Sequence, residues 1–258
     1  MKLRMSILAT GVAALWLVGC SATGGSSGVS ADGKVGAAMD VVKAATVSED
    51  DLKSAALQLR AAEDKQARVA PPNNRYAKRL ARLTKNHVNE DGLVLNYKVY
   101  LSPQVNANAT PDGSIRVYSG LMDLMNDQEM LGIIGHEIGH VKLGHSMSQM
   151  RTAYMASAGR KAAAASSSAG GVLAASQLGD LGEALINSQF SQSQETASDD
   201  YGLAFMKKYG YNTKALETAF RKLAAQRGGK KGSTMDNMLS THPDPGARAD
   251  RMRDMASK

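Results

Sequence analysis

Asp127-Gln128-Glu129-Met130-Leu131-Gly132-Ile133-Ile134-Gly135-His136-Glu137-Ile138-Gly139-His140 reads as a helix that ends in the pattern H-E-x-x-H. Residues four apart lie on one face of a helix, about one turn apart, so the imidazoles of His136 and His140 can reach a single ion. Glu137 follows the first of them directly, where a carboxylate can take a proton from a water held by that ion. The pattern predicts a metal-bearing helix with a general base, the equipment of metal-assisted hydrolysis.

A catalytic zinc takes three protein ligands and keeps one position for water. His145 is near in sequence but is rejected. The longer pattern H-E-x-x-H-x-x-G-x-x-H needs Gly at 143 and His at 146, where this chain has Leu143 and Ser146. His145 also lies about 140° around a helix from His140. It is expected to be an exposed residue at the helix end. Carboxylates further along are better candidates. Glu195-Thr196-Ala197-Ser198-Asp199 sets two acids four apart on one face. Glu195 can serve as the third ligand, and Asp199 can accept the other N–H of a ligand imidazole. Glu183 is the rival, without an orienting carboxylate beside it.

The composition fits a soluble globular chain: 258 residues, 43% apolar and 21% charged. The net charge of +7 is scattered without a run of five like charges, which gives no nucleic-acid footprint. The single cysteine, Cys20, excludes an intrachain disulfide and a cysteine-based zinc cluster. Lys2 and Arg4 precede an apolar run from Ile7 to Gly19, which is shorter than the ~20 residues of a membrane span but fits a secretory signal. Leu17-Val18-Gly19-Cys20 resembles a lipobox, predicting cleavage before Cys20 and acylation of that residue. Ser21, in place of Asp, predicts sorting to the outer membrane. We expect a signal peptide over 1–19, a lipidated cysteine with a flexible Gly/Ser tether over 20–36, and one folded domain over 37–258.

Ser48 followed by three acids marks a helix start, with Leu52, Ala55, Ala56, Leu59 and Ala62 at helical spacing and Pro71-Pro72 closing the helix. Tyr76, Leu80 and Leu83 mark a second helix, and Asn89-Glu90-Asp91-Gly92 a turn. Two strands are expected, Tyr97 to Leu101 and Ile115 to Tyr118, separated by Asn106-Ala107-Asn108-Ala109 and the turn Pro111-Asp112-Gly113. After Leu121 nearly everything reads as helical. Ala162 to Gly179 has no charge but few large apolar residues, which predicts closely packed small-residue helices broken near Ser166 to Gly171 rather than a membrane span. The fold class is α+β, mostly helical around a small sheet.

H-E-x-x-H at 136–140 with E-x-x-x-D at 195–199 resembles the gluzincin metallopeptidases of the CAAX prenyl protease and HtpX type. More narrowly, the chain is similar to their soluble, lipid-anchored members in bacterial outer membranes. The resemblance runs from about Tyr76 to Met252 and includes the segments 97–100, 115–121, 188–192 and His242-Pro243. It implies a zincin-type domain with one zinc per chain on His136, His140 and Glu195, Glu137 as base and Asp199 as the orienting carboxylate. Asn106-Ala107-Asn108-Ala109 matches a family segment, Asn-Ala-x-Ala, in which an apolar residue is common where Asn108 stands. Asn106, Ala107 and Asn108 are thereby substrate-binding candidates, on an exposed strand edge within Val105 to Val117. His242 is the candidate to stabilise the tetrahedral intermediate or to cap the zinc at rest. Arg248 either ties that loop down by an ion pair or is solvated. The implied activity is that of a zinc metalloendopeptidase on misfolded or regulatory proteins of the periplasm. The rival is a chaperone or assembly lipoprotein for outer-membrane proteins with latent proteolysis.

Overall fold

Ser48 starts the first helix as expected: its hydroxyl accepts from the Asp51 amide at 3.1 Å, and Asp51 accepts in return from the Ser48 amide at 3.3 Å. The structure is a computed structural model that describes residues 47–164, 175–226 and 236–256. The expected signal peptide, Cys20, the tether, residues 37–46 and the break near Ser166 to Gly171 lie outside the described residues. Helix α1 (Glu49–Gln66) ends well before Pro71, because Ala67 turns extended and Val69 bridges to Tyr100. Helix α2 (Arg75–Thr84) is capped by Asn74. Strands β1 (Asn89–Glu90) and β2 (Leu93–Val94) form a hairpin whose turn residues, Asp91 and Gly92, take φ of 48° and 82°.

Strands β3 (Asn96–Tyr100), β4 (Ala107–Ala109) and β5 (Ser114–Tyr118) form a sheet in the order β3-β5-β4. β3 runs parallel to β5 with Tyr97 opposite Ile115, and β4 runs antiparallel with Asn108 opposite Arg116. The segment expected to separate two strands is thus itself a strand, and it forms the edge. Ala and Asn have little strand propensity of their own, so its pairing comes from β5. Tyr118 donates its amide to Asn106 O and Thr110 donates its amide to Ser114 O, both at 3.0 Å. By the alternation of an antiparallel ladder, the main-chain groups of Ala107 and Ala109 point to the open edge.

Helices follow: α3 (Ser119–Leu124), α4 (Asp127–Lys142), α5 (His145–Ala164), α6 (Ala175–Ile186), α7 (Gln192–Lys208), α8 (Lys214–Gln226), α9 (Asp236–Thr241) and α10 (Pro245–Ala256). The main core joins the sheet to α4, α7, α8 and α10 through residues such as Ile115, Ile134, Met206, Phe220 and Met252. A second apolar cluster joins α1, α5 and α6 through Leu52, Leu59, Met150 and Leu181. Among the described residues no helix is long and apolar enough to cross a membrane.

Asp64 fastens α1 to the sheet. Its carboxylate accepts from Arg116 Nε and Nη2 at 2.9 and 3.0 Å, from Lys98 Nζ at 2.7 Å and from Tyr100 Oη at 2.7 Å. Burial alone would raise its pKa, but Arg116, Lys98 and Tyr100 outweigh it and hold the group at about 2. A depressed carboxylate pKa adds stability above the unfolded value of 3.8, and that stability is lost as pH falls through the folded value. We expect roughly 2 kcal/mol from this group. Denaturant titrations at pH 5 and pH 2.5 should show wild type losing more stability on acidification than Asp64→Asn. An equal loss would place the acid sensitivity elsewhere.

Candidate metal centre

The motif helix α4 is started by Asn126, whose side chain accepts from the Glu129 amide at 3.0 Å while Glu129 accepts from the Asn126 amide at 2.8 Å. Ser191 starts α7 in the same way with Gln194, at 3.2 and 2.9 Å. The two helices approach to backbone contact because glycine lines their crossing. A Cβ at Gly135 would stand 2.8 Å from the Phe205 ring, one at Gly139 would stand 3.2 Å from Ser198 Cα, and one at Gly202 would stand 3.2 Å from the His136 amide nitrogen. This contact sets His136 and His140 of α4 against Glu195 and Asp199 of α7.

The donor atoms converge. His136 Nε2 and His140 Nε2 lie 3.0 Å apart, His140 Nε2 lies 3.3 Å from Glu195 Oε1, and His136 Nε2 lies 3.7 Å from Glu195 Oε2. Ligands at about 2.0–2.1 Å from a tetrahedral ion stand about 3.3 Å from one another, so the spacing suits a zinc-sized cation. The buried donor atoms of His136, His140, Glu195 and His242 all fall within 4.8 Å of one another. This cluster can hold a metal ion. Glu137 is buried beside it, and its Oε1 has no hydrogen-bond partner.

Asp199 Oδ1 lies 2.9 Å from His136 Nδ1, the place expected of an orienting carboxylate. His140 has no such partner on Nδ1; its ring instead stacks on Phe190 with centroids 3.8 Å apart. Arg248 is buried rather than solvated. It donates from Nη2 and Nε to the two oxygens of Asp199 at 2.6 and 2.9 Å, and its Nη1 pairs with Glu195 Oε2. Its guanidinium lies over the Phe220 ring at 4.1 Å. Sequence gave only a weak hint of this clamp, because both acids and the ring come from distant helices.

The charges are mutually dependent. Burial opposes the charge on Glu195, but His242, His140 and His136 outweigh it and hold the carboxyl well below its usual range. Burial likewise opposes the charge on Asp199, and Arg248 and His136 outweigh it. Burial, reinforced by the neighbouring His136, pushes the His140 pKa well down and favours the neutral imidazole that a metal needs.

His242 sits between α9 and α10, with Nδ1 3.0 Å from Glu195 Oε1 and 3.3 Å from His136 Nε2. It therefore joins the same buried donor cluster, beside the three expected ligands. Glu183 is exposed on α6 and outside the cluster. His145 is likewise outside it, but it is not the exposed helix end expected: Gly144, at φ 75°, ends the turn after α4, and His145 starts α5 half-buried with Nδ1 3.1 Å from Ser198 Oγ. Asn106 and Asn108 line a cleft with Glu137, Phe190 and His242. Ala107 lies between them on β4, its side chain buried.

Residues 73–256 match Peptidase family M48. The chain is 40% identical over 257 residues to Metalloprotease YcaL of Escherichia coli (strain K12), covering 98% of each. It is 40% identical over 260 residues to Metalloprotease LoiP of the same strain, covering 100% of this chain and 98% of that one. It is also 30% identical over 154 residues to a Protease HtpX homolog of Desulfatibacillum aliphaticivorans, covering 51% of this chain and 48% of that one. With a buried two-histidine, one-glutamate cluster and full-length similarity to two metalloproteases, the chain belongs to peptidase family M48 and is a metalloprotease.

Proposed function

We propose that this metalloprotease is a zinc-dependent endopeptidase, anchored through acylated Cys20 to the outer membrane on its periplasmic side, that hydrolyses misfolded or regulatory envelope proteins. The observation that carries the reading is Glu137, a buried carboxylate whose Oε1 has no hydrogen-bond partner and lies 3.7 Å from His242 Nε2, beside a metal-binding cluster. Similarity to LoiP and YcaL along their whole length supports it. Envelope assembly or quality-control proteins are the partners this placement would bring within reach.

His136, His140 and Glu195 would hold one zinc. When bound, it supplies Lewis acidity that activates a water and polarises the scissile carbonyl. Glu137 accepts the water's proton at Oε1 and returns it to the leaving amine. Asp199 fixes the His136 ring by accepting from Nδ1. Arg248 occupies Glu195 Oε2 and leaves Oε1 turned to His140. His242, 3.0 Å from Glu195 Oε1 and 3.7 Å from Glu137 Oε1, would cap the metal at rest or donate to the oxyanion that the attack creates. The substrate lies extended along the open edge of β4, pairing with the main-chain groups of Ala107 and Ala109 and passing Asn106 and Asn108.

Metal analysis of purified protein beside a casein digestion tests the proposal. The expected result is about one zinc per chain and cleavage that stops with a chelator and returns with zinc. A metal-free protein that still cleaves, or chelator-insensitive cleavage, would overturn it.

A further inference from the structure

Helix α1 precedes residue 73, where the family match begins, yet it carries a buried arginine into the cleft. Arg60 Nε donates to Thr110 Oγ1 at 3.0 Å, Nη2 to Asn108 Oδ1 at 2.5 Å and Nη1 to Glu63 Oε2 at 2.7 Å. Asn108 stands opposite Arg116, which stands opposite Lys98, so the three side chains form one row across the sheet. Helix α1 meets that row with two residues one turn apart: Asp64 over Arg116 and Lys98, and Arg60 over Asn108. Of these two, Arg60 is the one that holds the edge strand.

β4 needs such a hold. It is three residues long and pairs on one side only. Its two alanines carry no side chain beyond a methyl with which to fix the register, and short one-sided strands open easily. The side-chain amide oxygen of Asn108 gives Arg60 its acceptor.

We propose that Arg60 is a positioning residue for substrate: by gripping Asn108 and Thr110 it holds β4 extended, so a helix outside the family domain sets the affinity for peptide. The proposal rests on the reading that substrate pairs with β4. Removing Arg60 should leave the fold intact. Asp64 still anchors α1 to Arg116, Lys98 and Tyr100, its apolar face still packs on α5 and α6, and Glu63 is part-exposed and takes water in place of the arginine.

The test is steady-state cleavage of a fluorogenic peptide by the zinc-loaded protein and its Arg60→Ala, Asn108→Ala, double and Arg60→Lys variants, with bound metal and circular dichroism measured on each. Arg60→Ala should raise KM about tenfold with kcat within about threefold, and with metal and dichroism unchanged. Asn108→Ala should do the same in smaller measure, the double variant should be no worse than Arg60→Ala alone, and Arg60→Lys should recover part of the loss. An unchanged KM, strictly additive effects, or a parallel fall of kcat and bound metal would overturn the proposal. If Arg60→Ala fails to fold, Thr110→Val removes Arg60's other acceptor on the strand side and should raise KM in smaller measure, an unchanged KM again overturning the proposal. Peptides N-methylated at successive amides separate the two ideas. If no methylation raises the wild-type KM, pairing with β4 is wrong; if methylation does and the variants do not, the role of Arg60 alone is wrong.

Discussion

Glu137→Gln removes peptide cleavage and leaves the metal in place. The two side chains have nearly the same shape, but an amide cannot take up a proton under a developing bond. General acid–base catalysis typically contributes 10²–10⁴-fold, so kcat should fall by about three orders of magnitude. Metal content should stay at wild-type level, because Glu137 is not among the four clustered donors. Folding should not suffer either. Glu137 is buried with one oxygen lacking a hydrogen-bond partner, and a neutral amide costs less to bury than a carboxylate. The measurement is kcat on a fluorogenic peptide, with metal stoichiometry and thermal melting on the same preparation. Residual activity above about a tenth of wild type, far outside the range for a lost base, would remove Glu137 from the mechanism. The same variant separates a protease from an assembly factor: if it supports the envelope as well as wild type does, proteolysis is not the cellular role.

The features legible in the sequence were those whose signal is local. H-E-x-x-H and E-x-x-x-D each declare a helical face within five residues, and the fold needed only to bring two such faces together. Ser48 and the Asp91-Gly92 turn were equally readable, because caps and positive-φ turns depend on neighbours in the chain. Strand β4 was not. Asn-Ala-Asn-Ala has no strand preference, and its conformation is imposed by β5. Arg248 belongs to the same class. Nothing near it marks it as buried, yet Glu195, Asp199 and Phe220 converge on it from two other helices. His145 was misjudged in the same direction: the break at Gly144 starts a new helix there and turns the ring toward Ser198. What sequence could not supply was the partner outside the segment: β5 for β4, and residues about fifty positions away for Arg248 and His145.

Gly139→Leu should cost the protein its metal. Gly139 stands between the two histidines' turns at the crossing of α4 and α7, where a Cβ would lie 3.1 Å from Tyr201 Cβ and 3.2 Å from Ser198 Cα and O. Ser198 presents backbone there, so no rotamer change makes room for a leucine. Helix α7 must move off instead, and Glu195 and Asp199 travel with it. The contacts at stake are His140 Nε2 to Glu195 Oε1 at 3.3 Å and His136 Nδ1 to Asp199 Oδ1 at 2.9 Å. A shift of about an ångström breaks both, since polar contacts weaken steeply beyond about 3.5 Å. Overpacking of this kind costs about 1–3 kcal/mol, occasionally more, and here it falls on a backbone contact. Gly139→Ala should lie between, because one methyl at that distance needs its neighbours to give only a few tenths of an ångström. Gly179→Leu on α6 is the control: nothing lies within 4 Å of its Cβ position, so the same substitution there should be neutral or slightly stabilising. Metal stoichiometry and melting temperature read out all three. A Gly139→Leu protein that retains one tightly bound metal would show that the crossing of α4 and α7 does not assemble the site.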